Sequence, residues 1–279
     1  MKKSKLAKLA KYGEYHAKTF AIDLHLSNGS TDFVKFVVLS VSRSGSNLLR
    51  DLLNAHSQTI MFGELFRSEG SLSWDCPVND RLRSHSKRVS RLMRTDPVAL
   101  LRDDVFGPTA THIKALGFKL FYYHARSDNL NPVWSWLREQ GDIRIIQLKR
   151  RNSLKRYLSL VKAKSTDVWR DASGSTRGND TFRLDFDECL ASFEQVQIWE
   201  KEHAQFFQGH AFHEVVYEDL AQDYSGEAEK IQRFLGLRNE AVQPSIYKQA
   251  RRRLSDSISN YDELKRRFAD TQWASFFED

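Results

Sequence analysis

FVKFVVLSVSRSGSNLLRDLLN, residues 33–54, changes its periodicity once, and the place where it changes decides the fold. From Phe33 to Val41 the chain is β-branched and aromatic, apolar almost throughout and too short for an ordinary helix, which predicts a strand covered on both faces. After the polar run Ser42-Arg43-Ser44-Gly45-Ser46-Asn47, residues Leu48, Leu49, Leu52 and Leu53 recur at helical spacing around Asp51. A loop that leaves a buried strand and opens a helix turns several backbone N–H groups, and the positive end of the helix dipole, toward one point where an anion can sit. Gly45 lets the backbone approach a phosphate, Ser44 and Ser46 add hydroxyl donors, and Arg43 supplies a full charge. The same six residues also fit a plain strand-to-helix turn with a serine N-cap, and the Walker A spacing is absent.

Working outward, Ile113 to Phe121 and Ile143 to Leu148 are short apolar runs that predict further strands, and Pro132 to Gln140 reads as the helix feeding the second of them. Leu154, Tyr157, Leu158 and Val161 continue as a helix from Ser153, His213 to Tyr217 offers a fourth strand, and the helix Ala228 to Leu235 ends at Gly236. Helix alternating with strand implies a parallel sheet, so the expected class is α/β: three layers, a central parallel sheet and a P-loop-like nucleotide-binding architecture. Arg81 to Arg94 reads as a basic surface or helical face, and Asp171 to Asp180 as a polar loop. The tail from Arg251, basic and then aromatic at Trp273, Phe276 and Phe277, suggests a helix folded back onto the body.

The 279 residues can bury a large core, and with only 5 Pro and 13 Gly no linker divides them. The expectation is one domain over 1–279, with its core at about 33–240 and a helical tail at about 241–279. A net charge of +7 favours anionic partners without choosing between a nucleotide, an acidic glycan, nucleic acid and a membrane surface. No apolar run approaches the roughly 18 residues of a membrane span, and Met1 to Lys11 lacks the apolar stretch of a secretory signal. Cys76 and Cys189 stand far apart without metal-ligand spacing, which fits a reducing cytoplasm.

A second cationic cluster, Lys149-Arg150-Arg151-Asn152, closes the third predicted strand, with Ser159 on the helix that follows. Ligands of open α/β sheets bind at the carboxyl ends of strands, so this cluster and the first loop would share one rim. Taken singly, each residue also fits a solvated basic loop or a helical serine bonded to its own backbone.

Together the two stretches carry a resemblance. VLSVSRSGSNLLRDLLNAH resembles the 5′-phosphosulfate loop of the sulfotransferases that use 3′-phosphoadenosine 5′-phosphosulfate, especially bacterial carbohydrate sulfotransferases related to the trehalose and nodulation-factor enzymes. LKRRNSLKRYLSLVKA resembles that family's 3′-phosphate motif, an Arg followed eight positions later by a Ser, here Arg151 and Ser159. VVYEDL, IQRFLGL and LSDSISNYDEL resemble later family segments, so the likeness runs from about Phe33 to Phe277.

The resemblance implies that Ser42 to Asn47 hold the 5′-phosphate, with Arg43 at the bridging oxygen and the departing sulfuryl group, and that Arg151 and Ser159 bind the 3′-phosphate. A GxWK-type motif is missing, and Lys248, Arg251 and Arg252 are the candidates to compensate. Glu64 resembles the glutamate that takes the acceptor's proton, and its neighbours Phe62, Leu65 and Phe66 would keep water from it. Lys119, on the second predicted strand, could donate to the sulfuryl oxygens or snorkel to solvent, and His124 is the second candidate base. A sulfuryl group carries less charge than a phosphoryl group, so cations suffice and no metal is expected. Glu218 and Asp219 read as caps of the segment they open.

The expected reaction is in-line transfer to a hydroxyl or amine of a small-molecule or glycan acceptor, with a carbohydrate or glycolipid implied by the resemblance. Nucleic acid is not expected as a partner, and peripheral membrane contact stays open. Two rivals remain: a kinase or NTPase, which shares the strand-loop-helix cradle, and a nucleic-acid-binding module built on the basic runs Arg81 to Arg94 and Arg251 to Arg253.

Overall fold

A computed structural model describes residues 2–23, 26–67, 87–166, 181–245 and 252–278. Helix α1 (Lys2–Asp23) precedes strand β1 (Val34–Ser40), which passes through the six-residue loop into α2 (Ser46–Leu53) and then β2 (Thr59–Glu64). Helix α3 (Lys87–Thr95), a short turn at Pro97–Ala99 and a π-helical turn at Leu100–Val105 lead to β3 (Ala115–Phe121). There follow α4 (Pro132–Glu139), β4 (Arg144–Lys149), α5 (Ser153–Thr166), α6 (Phe186–Phe206), β5 (Phe212–Val216), α7 (Tyr217–Gln222) and α8 (Tyr224–Phe234). The C-terminal segment holds α9 (Tyr261–Arg267) and a 3-10 turn at Ala274–Phe277.

Every strand pairing is parallel and the order across the sheet is β2-β3-β1-β4-β5, with β1 central. Side chains of β1 alternate between two cores, as the apolar run predicts. Val37 and Leu39 join α4 and the π-helical turn on one face, and Phe36 and Val38 join α2 and α8 on the other. A third cluster collects Leu154 of α5, Phe193 of α6 and the tail residues Leu264, Phe268, Trp273 and Phe277. Phe193 lies 5.6 Å from Phe268 and 5.7 Å from Trp273, so the aromatic tail does fold back. Gly236, at φ +67°, ends α8 in a Schellman turn: Leu237 N–H bonds to Gln232 O at 2.9 Å and Gly236 N–H to Arg233 O at 3.1 Å.

The sheet has five strands where the sequence suggested four. β2 was hidden because Thr59–Glu64 is short and carries Gly63 and Glu64 at its end. One extra residue bulges from it, since Met61 pairs with Gly117 but Glu64 pairs with Lys119. Without that bulge Gly63 would stand opposite Lys119; with it, the carboxylate does. The reading of Glu218 and Asp219 as caps needs correction: Val216 is the N-cap of α7, with no side-chain cap. Instead the Glu218 carboxylate accepts from Arg151 N–H at 2.9 Å and Asn152 N–H at 3.4 Å, and Asp219 pairs with the Arg151 side chain.

Helix α1 is held to the body by Tyr12 and Tyr15, which are buried in the first core, and by the side chain of Lys11. Lys11 Nζ donates to three main-chain carbonyls beyond α2, those of Asn54, His56 and Thr59, at 2.8, 2.8 and 2.7 Å. Among the described residues no helix is long and apolar enough to cross a membrane. Residues 87–94 of the basic run belong to α3, while 81–86 and the polar loop 171–180 lie outside the described residues.

Candidate active site

The sheet order sends the chain from β1 toward one edge and from β4 toward the other, which opens a crevice at the carboxyl ends of these neighbouring strands. Ser42–Asn47 leaves β1 there, and Arg150–Asn152 leaves β4.

The first loop is bent by two residues in the left-handed region, Arg43 at φ +66° and Gly45 at φ +89°. Gly45 is the N-cap of α2, so no side chain caps the helix, which departs from the serine-capped turn that the sequence also allowed. Its conformation favours glycine, and its surroundings require it: a Cβ there would lie 2.1 Å from Cδ2 of Tyr217. Ser44 is 1% exposed and its Oγ has no hydrogen-bond partner among the described residues. A buried hydroxyl left unpaired costs about 1–3 kcal/mol, and such an orphan beside an uncapped helix N-terminus matches an anion's oxygen.

Cations line the crevice. Arg43 Nε donates to Ser159 Oγ at 2.8 Å, joining the loop to α5. Arg150, which the sequence reading passed over for its neighbour, donates from Nη1 to Arg43 O at 2.8 Å, covers the Tyr217 ring at 5.0 Å and stands 3.9 Å from Glu218. Arg156, one turn before Ser159 on α5, is 4% exposed; its Nη2 bonds to Ser192 Oγ and its Nε has no partner among the described residues. Burial depresses all three guanidiniums, Arg156 to about 10, which leaves them charged at neutral pH in poorly solvated positions. An anion between them would replace the lost water.

The two residues expected to share a 3′-phosphate are engaged separately: Ser159 with Arg43, and Arg151 with Asp219, both of whose oxygens lie 3.0 Å from Nη2. Arg252 is exposed, and Lys248 and Arg251 lie outside the described residues.

The three candidates for the reaction itself, Glu64, Lys119 and His124, lie on the β3 side. Lys119 is 1% exposed and so does not snorkel; its Nζ donates to Asn47 Oδ1 at 2.9 Å and to Glu64 Oε1 at 3.3 Å. That chain of contacts ties the strand bulge to the first turn of α2. Glu64 Oε2 lies 3.4 Å from Arg67 Nε, and its side chain keeps 19% exposure, so lone pairs remain open to the crevice. His124 is 4% exposed, 4.8 Å from the Phe121 ring, and burial lowers its pKa to about 4 against the pull of Glu64. Its Nδ1 accepts the Phe121 N–H at 3.4 Å, which places the proton of the neutral ring on Nε2.

A family model described as "Sulfotransferase family" matches residues 36–241. Nodulation protein H of Rhizobium tropici is 28% identical over 247 residues, covering 87% of this chain and 92% of the relative. Nodulation protein H of Rhizobium meliloti (strain 1021) is 25% identical over 252 residues, covering 87% and 94%. Among solved structures, a sulfotransferase from Alicyclobacillus acidocaldarius aligns at 17% identity with a TM-score of 0.43, covering 84% of this chain and 90% of that one.

Proposed function

Because the chain belongs to the sulfotransferase family, and is therefore an enzyme that moves a sulfuryl group from 3′-phosphoadenosine 5′-phosphosulfate, we propose how its own residues divide that work. The observation that carries the proposal is the buried, unpaired Ser44 hydroxyl in the loop that opens the uncapped helix α2, a loop that also holds Arg43 and is bonded by Arg150 at Arg43 O. Ser42 to Asn47 hold the 5′-phosphate. Arg151 and Ser159 hold the 3′-phosphate, exchanging Asp219 and Arg43 for it, and Arg252 approaches from the tail.

Glu64 takes the proton of an acceptor hydroxyl as the new O–S bond forms in line with the bond that breaks. Arg43 and Lys119 neutralise the charge that grows on the bridging oxygen and the equatorial sulfuryl oxygens. With its proton on Nε2, His124 serves as a donor rather than a base. No step calls for a metal. The acceptor is a hydroxyl or amine of a carbohydrate or glycolipid, a class supported by the resemblance of the 38–56 segment to carbohydrate-directed family members.

Titration calorimetry tests the nucleotide assignment. Adenosine 3′,5′-bisphosphate should bind about 10- to 100-fold more tightly than AMP, the worth of one charged hydrogen-bond partner, and Arg151→Ala should erase most of the difference. Equal affinities in the unmodified protein would remove Arg151 and Ser159 from the nucleotide site.

A further inference from the structure

Next to Glu64 the crevice has a wall that the transfer chemistry does not use. Tyr123 lies two residues beyond the end of β3 and is 39% exposed, although Phe121 and Tyr122 before it are 4% and 1% exposed. Its ring is 5.6 Å from Trp199 of α6 and meets His124 edge-on at 5.0 Å. The Tyr123 ring is also 5.7 Å from that of Phe121, which Lys119 Nζ covers at 5.8 Å, and Lys119 in turn pairs with Glu64. A partly open aromatic ring therefore stands on the same side of the crevice as the candidate base. The neighbouring side chains Leu120 and Tyr122 fill the core, while part of the Tyr123 ring stays open to the crevice side.

Polar groups complete the wall. Arg156 lies within electrostatic reach of Tyr123 on one side and of Glu200 on the other. Glu200 follows Trp199 on α6, and burial raises its carboxyl to about 7, so near neutral pH it can donate as well as accept a hydrogen bond. A pair of aromatic faces beside a guanidinium with an unused N–H and a half-protonated carboxyl matches a pyranose, which has an apolar C–H face and a rim of hydroxyls that both donate and accept.

We propose that Tyr123 and Trp199 form the acceptor subsite and hold a pyranose ring by its C–H face, with Arg156 and Glu200 bonding its hydroxyls, so that one hydroxyl is delivered to Glu64. This rests on the carbohydrate reading of the acceptor given above. It adds the residues that select the sugar: Tyr123, Trp199 and Glu200 are not among those assigned to the nucleotide, while Arg156 lines the crevice for both.

The test uses the full chain saturated with adenosine 3′,5′-bisphosphate and titrated with cellotetraose, maltotetraose and N-acetylchitotetraose to about 10 mM, read by tryptophan emission. At least one saccharide should change the emission of the unmodified protein. Trp199→Leu should abolish that change, Tyr123→Ser should weaken saccharide binding about 10-fold or more, and Tyr123→Phe, which keeps the ring, should stay within about 2-fold. Nucleotide affinity should hold within about 2-fold throughout, and thermal melts confirm that each variant is folded. Saccharide binding at wild-type strength in folded Tyr123→Ser and Trp199→Leu proteins overturns the subsite and leaves the carbohydrate acceptor standing. No response of the unmodified protein to any of the three overturns the pyranose assignment itself, and sulfation of 2-naphthol in its place would show that the carbohydrate reading has failed too.

Discussion

Glu64 touches a buried ammonium on one side and the crevice on the other, so its replacement separates chemistry from support. Glu64→Gln keeps the shape and an oxygen acceptor for Lys119 while removing the proton acceptor. Single-turnover transfer should fall by about 10²- to 10⁴-fold, with affinity for adenosine 3′,5′-bisphosphate within a few fold. The melting temperature should drop a little, because Lys119 loses a charged partner. Rates measured well below the melt, on protein that binds one nucleotide per chain, isolate the chemical loss, and near-normal transfer would end the role of Glu64 as base. At this scale the sequence pointed to Arg43, Asn47, Glu64 and Lys119 as charged or amide groups of short, recognisable stretches, and the structure joins Asn47, Lys119 and Glu64 by hydrogen bonds. Arg150 was not: KRRN offers consecutive cations, and only the exit angle of β4 decides that Arg150 turns into the crevice while Arg151 stays 62% exposed. Arg156 and Tyr123 were equally hidden, since their burial or exposure is set by α6, which is remote in sequence.

The loop between β1 and α2 depends on a single Cα. Gly45→Ala meets a left-handed φ and a Tyr217 ring that leaves no room for a methyl group, and the two penalties are separable. The substitution should lower the melting temperature and weaken bisphosphate binding by about 10-fold or more; the backbone term alone is of order 1–3 kcal/mol. Adding Tyr217→Ala should restore part of the melting temperature by removing the clash, but not all of it, because the φ remains. Full tolerance of Gly45→Ala in both measurements would contradict this loop geometry. Four strands were readable from β-branched runs flanked by helices. β2 was not, because its bulge and terminal Glu serve the site and break the pattern of a strand. α6 escaped as well: Cys189 and Phe193 face the third cluster while Val196 faces the first, so its 21 residues carry no single apolar stripe.

Across the whole molecule, ionisable groups buried for function tie stability to pH. Glu200 is raised to about 7 by burial, so between its ordinary value of 4.5 and 7 the folded chain keeps a proton that the unfolded chain releases. Stability contributed by this group therefore falls as pH rises through that window and is level above it. Glu200→Gln removes the term: relative to the parent, its melting temperature should gain about 2–6 °C between pH 4.5 and 8, and a difference that does not vary with pH would contradict the burial of the carboxyl. The net charge of +7 announced an anionic ligand from composition alone, but its focus on the β1/β4 crevice needed the strand order. Composition was silent, too, about how α1 is held. Lys11 spends all three ammonium hydrogens on carbonyls, much as a crown ether grips ammonium. An amine in that state is a poor nucleophile, so acylating reagents should modify it chiefly in the moments when α1 lifts away. Its rate of modification, set against that of Lys18 on the same helix with its side chain 45% exposed, would serve as a chemical clock for that detachment.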